Sequence, residues 1–134
     1  MVILSYRAQS GALKQVIDFG RHLFAADLDL ERGGDLGGPD PHEILDASLA
    51  ACTGLTLHWY ARRKAIPLKD ARIEVSHTEL NGVYRLSVSI ALVGDLSDLQ
   101  RADLLRVAGK CPVHKSLTSQ IEIETRLIGS PTAG

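Results

Sequence analysis

The stretch from Asp40 to Lys64 constrains this chain more than any other. Asp40, followed by Pro41 and then Glu43, has the form of a helix start: an N-cap side chain, a proline at the first helical position and a capping-box carboxylate. Ile44, Leu45, Ser48, Leu49, Cys52, Leu55 and Trp59 then form one stripe at helical spacing, while Ala47, Ala50, Ala51, Leu57, Tyr60 and Ala61 fill the opposite side. A helix that is apolar on every face has to be buried on every face. One small sheet cannot cover it all round, so the remaining face is expected to pack on a second copy of the chain, giving a homodimer. Asp46, Thr53, Gly54, Thr56 and His58 lie inside the same stretch. A carboxylate in a lone membrane span is costly, so a buried helix is expected rather than a span, and no membrane as partner.

The rest of the chain supplies the strands. Val2–Ala8, Lys14–Phe19 and Leu23–Asp27 are separated by Ser10-Gly11 and Gly20 and read as an antiparallel meander. Residues Glu31 to Pro41 hold four glycines and two prolines, which predicts a loop, and its length suggests that it lines a site. Beyond Ile66-Pro67, the alternation of Ile73, Val75 and His77 and that of Tyr84, Leu86, Val88, Ile90 and Leu92 flank Asn81-Gly82, the signature of a two-residue hairpin turn. Of the five histidines, His77 is the one expected to point inward. Ser97 with Gln100 opens a helix that runs through Ala108 and ends at Gly109; Cys111-Pro112 opens a short one; Ile121, Ile123, Thr125 and Leu127 alternate as a closing strand. Without repeat, linker or composition break, residues 1–134 read as a single α+β domain with a loose tail over 128–134.

A chain of 134 residues buries roughly 65–70% of its unfolded surface, enough for a core without staples, so the two cysteines are free for chemistry. Fifteen Lys and Arg against sixteen Asp and Glu leave no basic surplus for a phosphate backbone, and aromatics at 4% offer few stacking platforms; no nucleic-acid partner is expected. Met1 to Arg7 turns polar too soon for a signal peptide, so a cytoplasmic, reduced setting is expected.

Two segments carry candidate chemistry. Cys52 lies between small residues in Ala50-Ala51-Cys52-Thr53-Gly54, where a substrate or another backbone could approach its sulfur; a buried cysteine is equally at home in such a helix. Cys111 sits at a helix start beside Lys110 and within a turn of His114 and Lys115, surroundings that favour a thiolate, although a plain N-cap has the same form. Cys111-x-x-His114 also has the spacing of two metal ligands, with Cys52 or His58 to complete a set. The second close pair typical of zinc sites is missing, and no metal is expected. The glycines at 33–38 lack the strand and the Lys-Ser/Thr of a phosphate loop.

Taken together, Gly38-Pro-Asp-Pro-His-Glu-Ile-Leu-Asp-Ala-Ser-Leu-Ala-Ala-Cys-Thr-Gly-Leu-Thr-Leu57 and, about sixty residues on, Lys110-Cys-Pro-Val-His-Lys115 with a final strand resemble the OsmC/Ohr family. The order of elements matches over nearly the whole chain. The resemblance implies an intertwined homodimer in which antiparallel sheets wrap long cysteine-bearing helices, with active sites at the interface. It also implies a peroxidase of organic hydroperoxides that uses no cofactor. Cys52 would attack the peroxide and become a sulfenic acid, Cys111 would close a disulfide, and an external dithiol would reduce it. The family's glutamate ten residues before the helix cysteine is here His42, with Glu43 beside it as the candidate carboxylate. The family's arginine from the meander has no clear counterpart, although Arg7 and Arg21 are present. The other reading is a redox-sensing or ligand-binding dimer without turnover.

Overall fold

The computed structural model describes residues 1–129. Three short strands, β1 (Leu4–Arg7), β2 (Gln15–Asp18) and β3 (Leu23–Ala26), form the antiparallel meander expected from the sequence, each shorter than its apolar run. Ala8 N–H donates to the Lys14 carbonyl across the first turn (2.8 Å) and Phe19 N–H to that of His22 across the second (2.9 Å). The residues that follow are less irregular than their glycines suggest: Leu30–Arg32 form a turn of 3-10 helix capped by Asp29. The loop closes around Asp27, which is buried and whose carboxylate accepts N–H bonds from Leu28 (2.8 Å), Gly37 (3.0 Å) and Asp35 (3.2 Å). Those backbone bonds, with that to Leu28 the strongest, hold the Asp27 carboxyl below its ordinary range. The loop's anion-binding N–H groups are therefore occupied by the chain's own carboxylate. At Gly38 the loop runs so close to β3 that a Cβ would lie 2.2 Å from the Ala25 carbonyl oxygen.

Helix α1 (Pro41–Arg63) starts as the sequence predicts, with Asp40 and Glu43 in a reciprocal capping box. Strands β4 (Leu68–Leu80) and β5 (Val83–Gly94) form a long hairpin, and both Asn81 (φ 53°) and Gly82 (φ 76°) take the left-handed conformation that this tight turn requires. Ala71, Ile73, Val75 and His77 lie on the face of β4 turned toward α1, so His77 points inward as expected. Helix α2 (Asp98–Ala108) carries the second capping box, from Ser97 and Gln100. Helix α3 (Pro112–Thr118) follows at once, with Cys111 as its N-cap. Leu57 and Ala61 of α1 meet Leu104, Val107 and Ala108 of α2 in the core, which the inner face of the hairpin closes.

Within one chain only the Leu49, Thr53, Leu57, Ala61 stripe of helix α1 is enclosed, while Leu55 is 72% and Trp59 61% exposed. The hairpin, α2 and α3 together cover a single face, and one chain leaves the other uncovered, as the sequence leads one to expect. The closing strand expected over 121–127 needs correcting: it is not formed, and the segment has no regular structure and exposed side chains. Its alternation is intact, but a strand exists only through a ladder, and no strand among the described residues pairs with it. Of the tail expected over 128–134, residues 130–134 lie outside the described residues.

Candidate active site

Cys52 and Cys111 are both free thiols, and the fold places them in opposite kinds of surroundings. Cys52 is half-buried on the open side of α1 and lines a groove of about 700 Å³ with Ser48, Ala51, Leu55, Thr56 and Trp59 of the same helix. Lys110 and Pro112, the two neighbours of Cys111 in the chain, complete its wall. The lining is thus mostly apolar, with one cation. None of the glycine-rich loop residues lines this groove; Pro39 and Pro41 of the loop instead border two smaller hollows between the meander and the start of α1.

Cys111 is fully buried. Its sulfur caps α3 by accepting the His114 N–H (3.3 Å) and lies 3.8 Å from the Thr53 hydroxyl, itself only 2% exposed. The Thr53 hydroxyl donates to the Leu49 carbonyl one turn back (2.8 Å). Thr53 follows Cys52 in sequence and faces the other way, so α1 presents one thiol to the groove and a hydroxyl to the second thiol. His114 also lines a crevice with Leu49 and Tyr84. Among the described residues no three His, Cys, Asp or Glu are placed to hold a metal ion, so Cys111-x-x-His114 is not part of such a set.

Glu43 stands at the helix start, where Oε1 accepts the Asp40 N–H (3.1 Å). It is nine positions before Cys52, about 13 Å along the axis at 1.5 Å per residue. Glu43 borders a different apolar hollow, between the meander's Phe19 and Phe24 and the first turns of α1. His42 faces the hairpin: its ring stacks on Tyr84 (centroids 5.3 Å apart) and its Nε2 lies 3.7 Å from Glu79.

A polar cluster not foreseen from the sequence lies beneath His42. Asp46 is hydrogen-bonded to Nδ1 of His77 and accepts the Tyr84 hydroxyl (2.7 Å), and the His77 and Tyr84 rings stack at 4.8 Å. Burial works to raise the Asp46 carboxyl, but the bonds from His77 and Tyr84 outweigh it and the net shift is downward. Tyr84 is pushed up to about 12, by burial first and then by its bond to Asp46. The sequence did carry a signal: a carboxylate inside an apolar helix needs partners, and an inward-facing histidine on the facing strand is one.

The sequence pattern described as OsmC-like protein matches residues 33–126, which include α1, the hairpin, α2 and α3. The chain belongs to the OsmC-like protein family. Solved structures agree in fold. An OsmC-like protein from Mycoplasma pneumoniae superposes with a TM-score of 0.71 at 18% identity, covering 87% of this chain and 85% of that one. The organic hydroperoxide resistance protein OsmC from Legionella pneumophila gives 0.62 at 20% identity, over 88% and 90% of the two chains. The organic hydroperoxide resistance protein OhrB of Bacillus subtilis gives 0.59 at 21% identity, over 88% and 91%. Among curated proteins none matches the sequence. The OsmC-like chain described here is α+β with antiparallel sheets, as its sequence predicts, and among its described residues no helix is long and apolar enough to cross a membrane.

Proposed function

We propose that this OsmC-like chain is a single-domain thiol peroxidase that reduces hydrophobic organic hydroperoxides to alcohols. The observation that carries this reading is the unequal placement of the two thiols. Cys52 opens on an apolar groove with a cation in its wall, whereas Cys111, whose chain neighbours Lys110 and Pro112 border that groove, is itself enclosed. Access favours Cys52 as the sulfur that meets a hydroperoxide. Its thiolate attacks the outer peroxide oxygen, the O–O bond breaks, the alkoxide takes a proton and leaves as alcohol, and Cys52 is left as sulfenic acid. The Cys111 sulfur then attacks the Cys52 sulfur and the S–O bond breaks. Hydroxide departs with the Cys111 proton as water, and an external dithiol returns the disulfide to two thiols. The names of the Legionella and Bacillus relatives agree with this substrate class.

A second copy of the chain belongs to the proposal. The open side of α1 and the alternating but irregular 121–127 segment are the apolar surface and the unpaired backbone that a homodimer would enclose. Glu43, at the helix start, is the candidate carboxylate of such an assembled site. A cytoplasmic setting, with no cofactor, fits two reduced thiols.

One feature favours a different reading, a reversible redox sensor or ligand-binding dimer without efficient turnover. Among the described residues no arginine and no carboxylate lines the Cys52 groove. The two readings separate on one experiment, intact mass and thiol count of reduced protein before and after one equivalent of cumene hydroperoxide. The peroxidase loses two thiols quickly and two protons in mass. Cys52→Ser loses all peroxide consumption, and Cys111→Ser gives a single turnover with trapped sulfenic acid. Full turnover in Cys52→Ser overturns the assignment, and unchanged thiols over many minutes favour the sensor or binding role.

A further inference from the structure

In the resting structure the proton of the Thr53 hydroxyl is committed to the Leu49 carbonyl (2.8 Å), so the face turned to Cys111, 3.8 Å away, is a lone pair. With the Thr53 proton so committed, that lone pair is the acceptor open to the S–H of Cys111, while the sulfur accepts the His114 N–H (3.3 Å). Thr53 and Cys111 are 2% and 0% exposed, so water does not serve either group. To attack a sulfenic acid, Cys111 has to give up its proton in this enclosed place, where an unsupported thiolate is costly. The hydroxyl is able to turn. The Leu49 carbonyl keeps its main-chain helix bond when the Thr53 proton leaves it, so little opposes the rotation.

We propose that the Thr53 hydroxyl is the group that lets Cys111 ionise inside the core: it accepts the S–H of the resting thiol and turns to donate to the thiolate that attacks Cys52. The sign follows from bond strengths. A thiol is a weak donor, so the bond lost with the thiol form is small, whereas an O–H bond to a charged sulfur is among the stronger ones. Thr53 therefore favours the thiolate on balance, and it assigns α1 both halves of the disulfide step: residue 52 supplies the electrophilic sulfur and residue 53 prepares its attacker. This inference rests on the peroxidase reading for its purpose, though not for its measurement.

The test is the pH at which the ultraviolet absorbance of the Cys111 thiolate appears. It is measured in a Cys52→Ser background and corrected for tyrosine with Cys52→Ser/Cys111→Ser. In Thr53→Val the midpoint moves up by about one pH unit, and in Thr53→Ser it returns to within a few tenths of the parent. The other titratable or charged groups around Cys111 are Lys110 and Lys115 in the flanking chain, His114 of α3, and Tyr84 of β5 across the crevice. All are unchanged in these variants. With Cys52 present, Thr53→Val slows disulfide closure after one equivalent of cumene hydroperoxide about tenfold at fixed pH and leaves the first oxidation step unchanged. Equal midpoints in the parent and Thr53→Val, or a Thr53→Ser midpoint displaced as far as that of Thr53→Val, overturn the proposal. Should Thr53→Val not fold, Thr53→Ala against Thr53→Ser makes the same comparison. Because the titration uses no peroxide, a chain that proves unable to turn over hydroperoxide leaves it fully decisive.

Discussion

The two sides of α1 are built from similar residues and meet different fates. On one side Leu49, Thr53, Leu57 and Ala61 are packed by the hairpin, α2 and α3; on the other Ser48, Cys52, Leu55 and Trp59 border a groove. Hydrophobicity alone does not separate them, since Leu57 is fully enclosed and Leu55, two residues away, is 72% exposed. What separates them is which neighbours one chain can supply. The closed side is satisfied by elements within the same 134 residues, and the open side is left for a substrate or a second chain.

The widest gap is expected from leucine truncation on the two sides. Leu57→Ala removes a fully buried side chain from the centre of the α1–α2 core and costs about 2–5 kcal/mol in urea unfolding. Leu55→Ala costs within about 0.5 kcal/mol in dilute protein, as surface substitutions do. If the open side pairs with a second copy, the Leu55→Ala cost grows with protein concentration. Equal, concentration-independent losses at the two positions would show that the helix is enclosed on both sides.

Much of this division was open to reading in the sequence, for local reasons. The Asp40/Glu43 and Ser97/Gln100 boxes and the Asn81-Gly82 turn are set by neighbours within a few residues, and each formed where the sequence placed it. The all-round apolar character of α1 was also legible, but not which side its own chain would cover, because that depends on where β4 and α2 return from distant parts of the sequence. The strand expected over 121–127 failed for the same reason: alternation prepares a ladder but does not provide its partner. Cys52 and Cys111 stood out as residue types. That Lys110 enters the Cys52 groove, or that Thr53 meets Cys111, required two elements to dock.

Next in size is the Asp46 cluster, the polar part of the closed side. Asp46→Asn weakens the acceptor for the His77 and Tyr84 donors and costs about 1–2 kcal/mol near neutral pH. The pH dependence has a definite sign at each end. Asp46 is lowered in the fold, so the stability it contributes is complete above its ordinary value of 3.8 and is lost as pH falls through the lower folded value. Tyr84 is raised from 10.0 to about 12, so its contribution is complete below pH 10 and is lost as pH climbs toward 12. Urea midpoints measured across both limbs should show shallower slopes in Asp46→Asn than in the parent. Identical slopes would mean that the cluster is not coupled to folding.

The smallest effect is expected at Lys110, and it bears on the open side alone. Among the described residues Lys110 is the single charged side chain lining the Cys52 groove, held at the end of α2 by its N–H bond to the Val107 carbonyl (2.9 Å). A cation in the wall favours the thiolate over the thiol, but Lys110 is exposed, and water and salt weaken an exposed charge. Lys110→Met should therefore slow alkylation of Cys52 by iodoacetamide only about two- to fivefold at low ionic strength, the range of exposed ion pairs. The deficit should shrink as salt is added, and Lys110→Arg should restore the parent rate. Thermal stability should stay unchanged, because Lys110 contributes no buried surface to the closed side. A rate insensitive to both substitution and salt would mean that the groove supports Cys52 without this cation, leaving charge from a second copy as the source to seek.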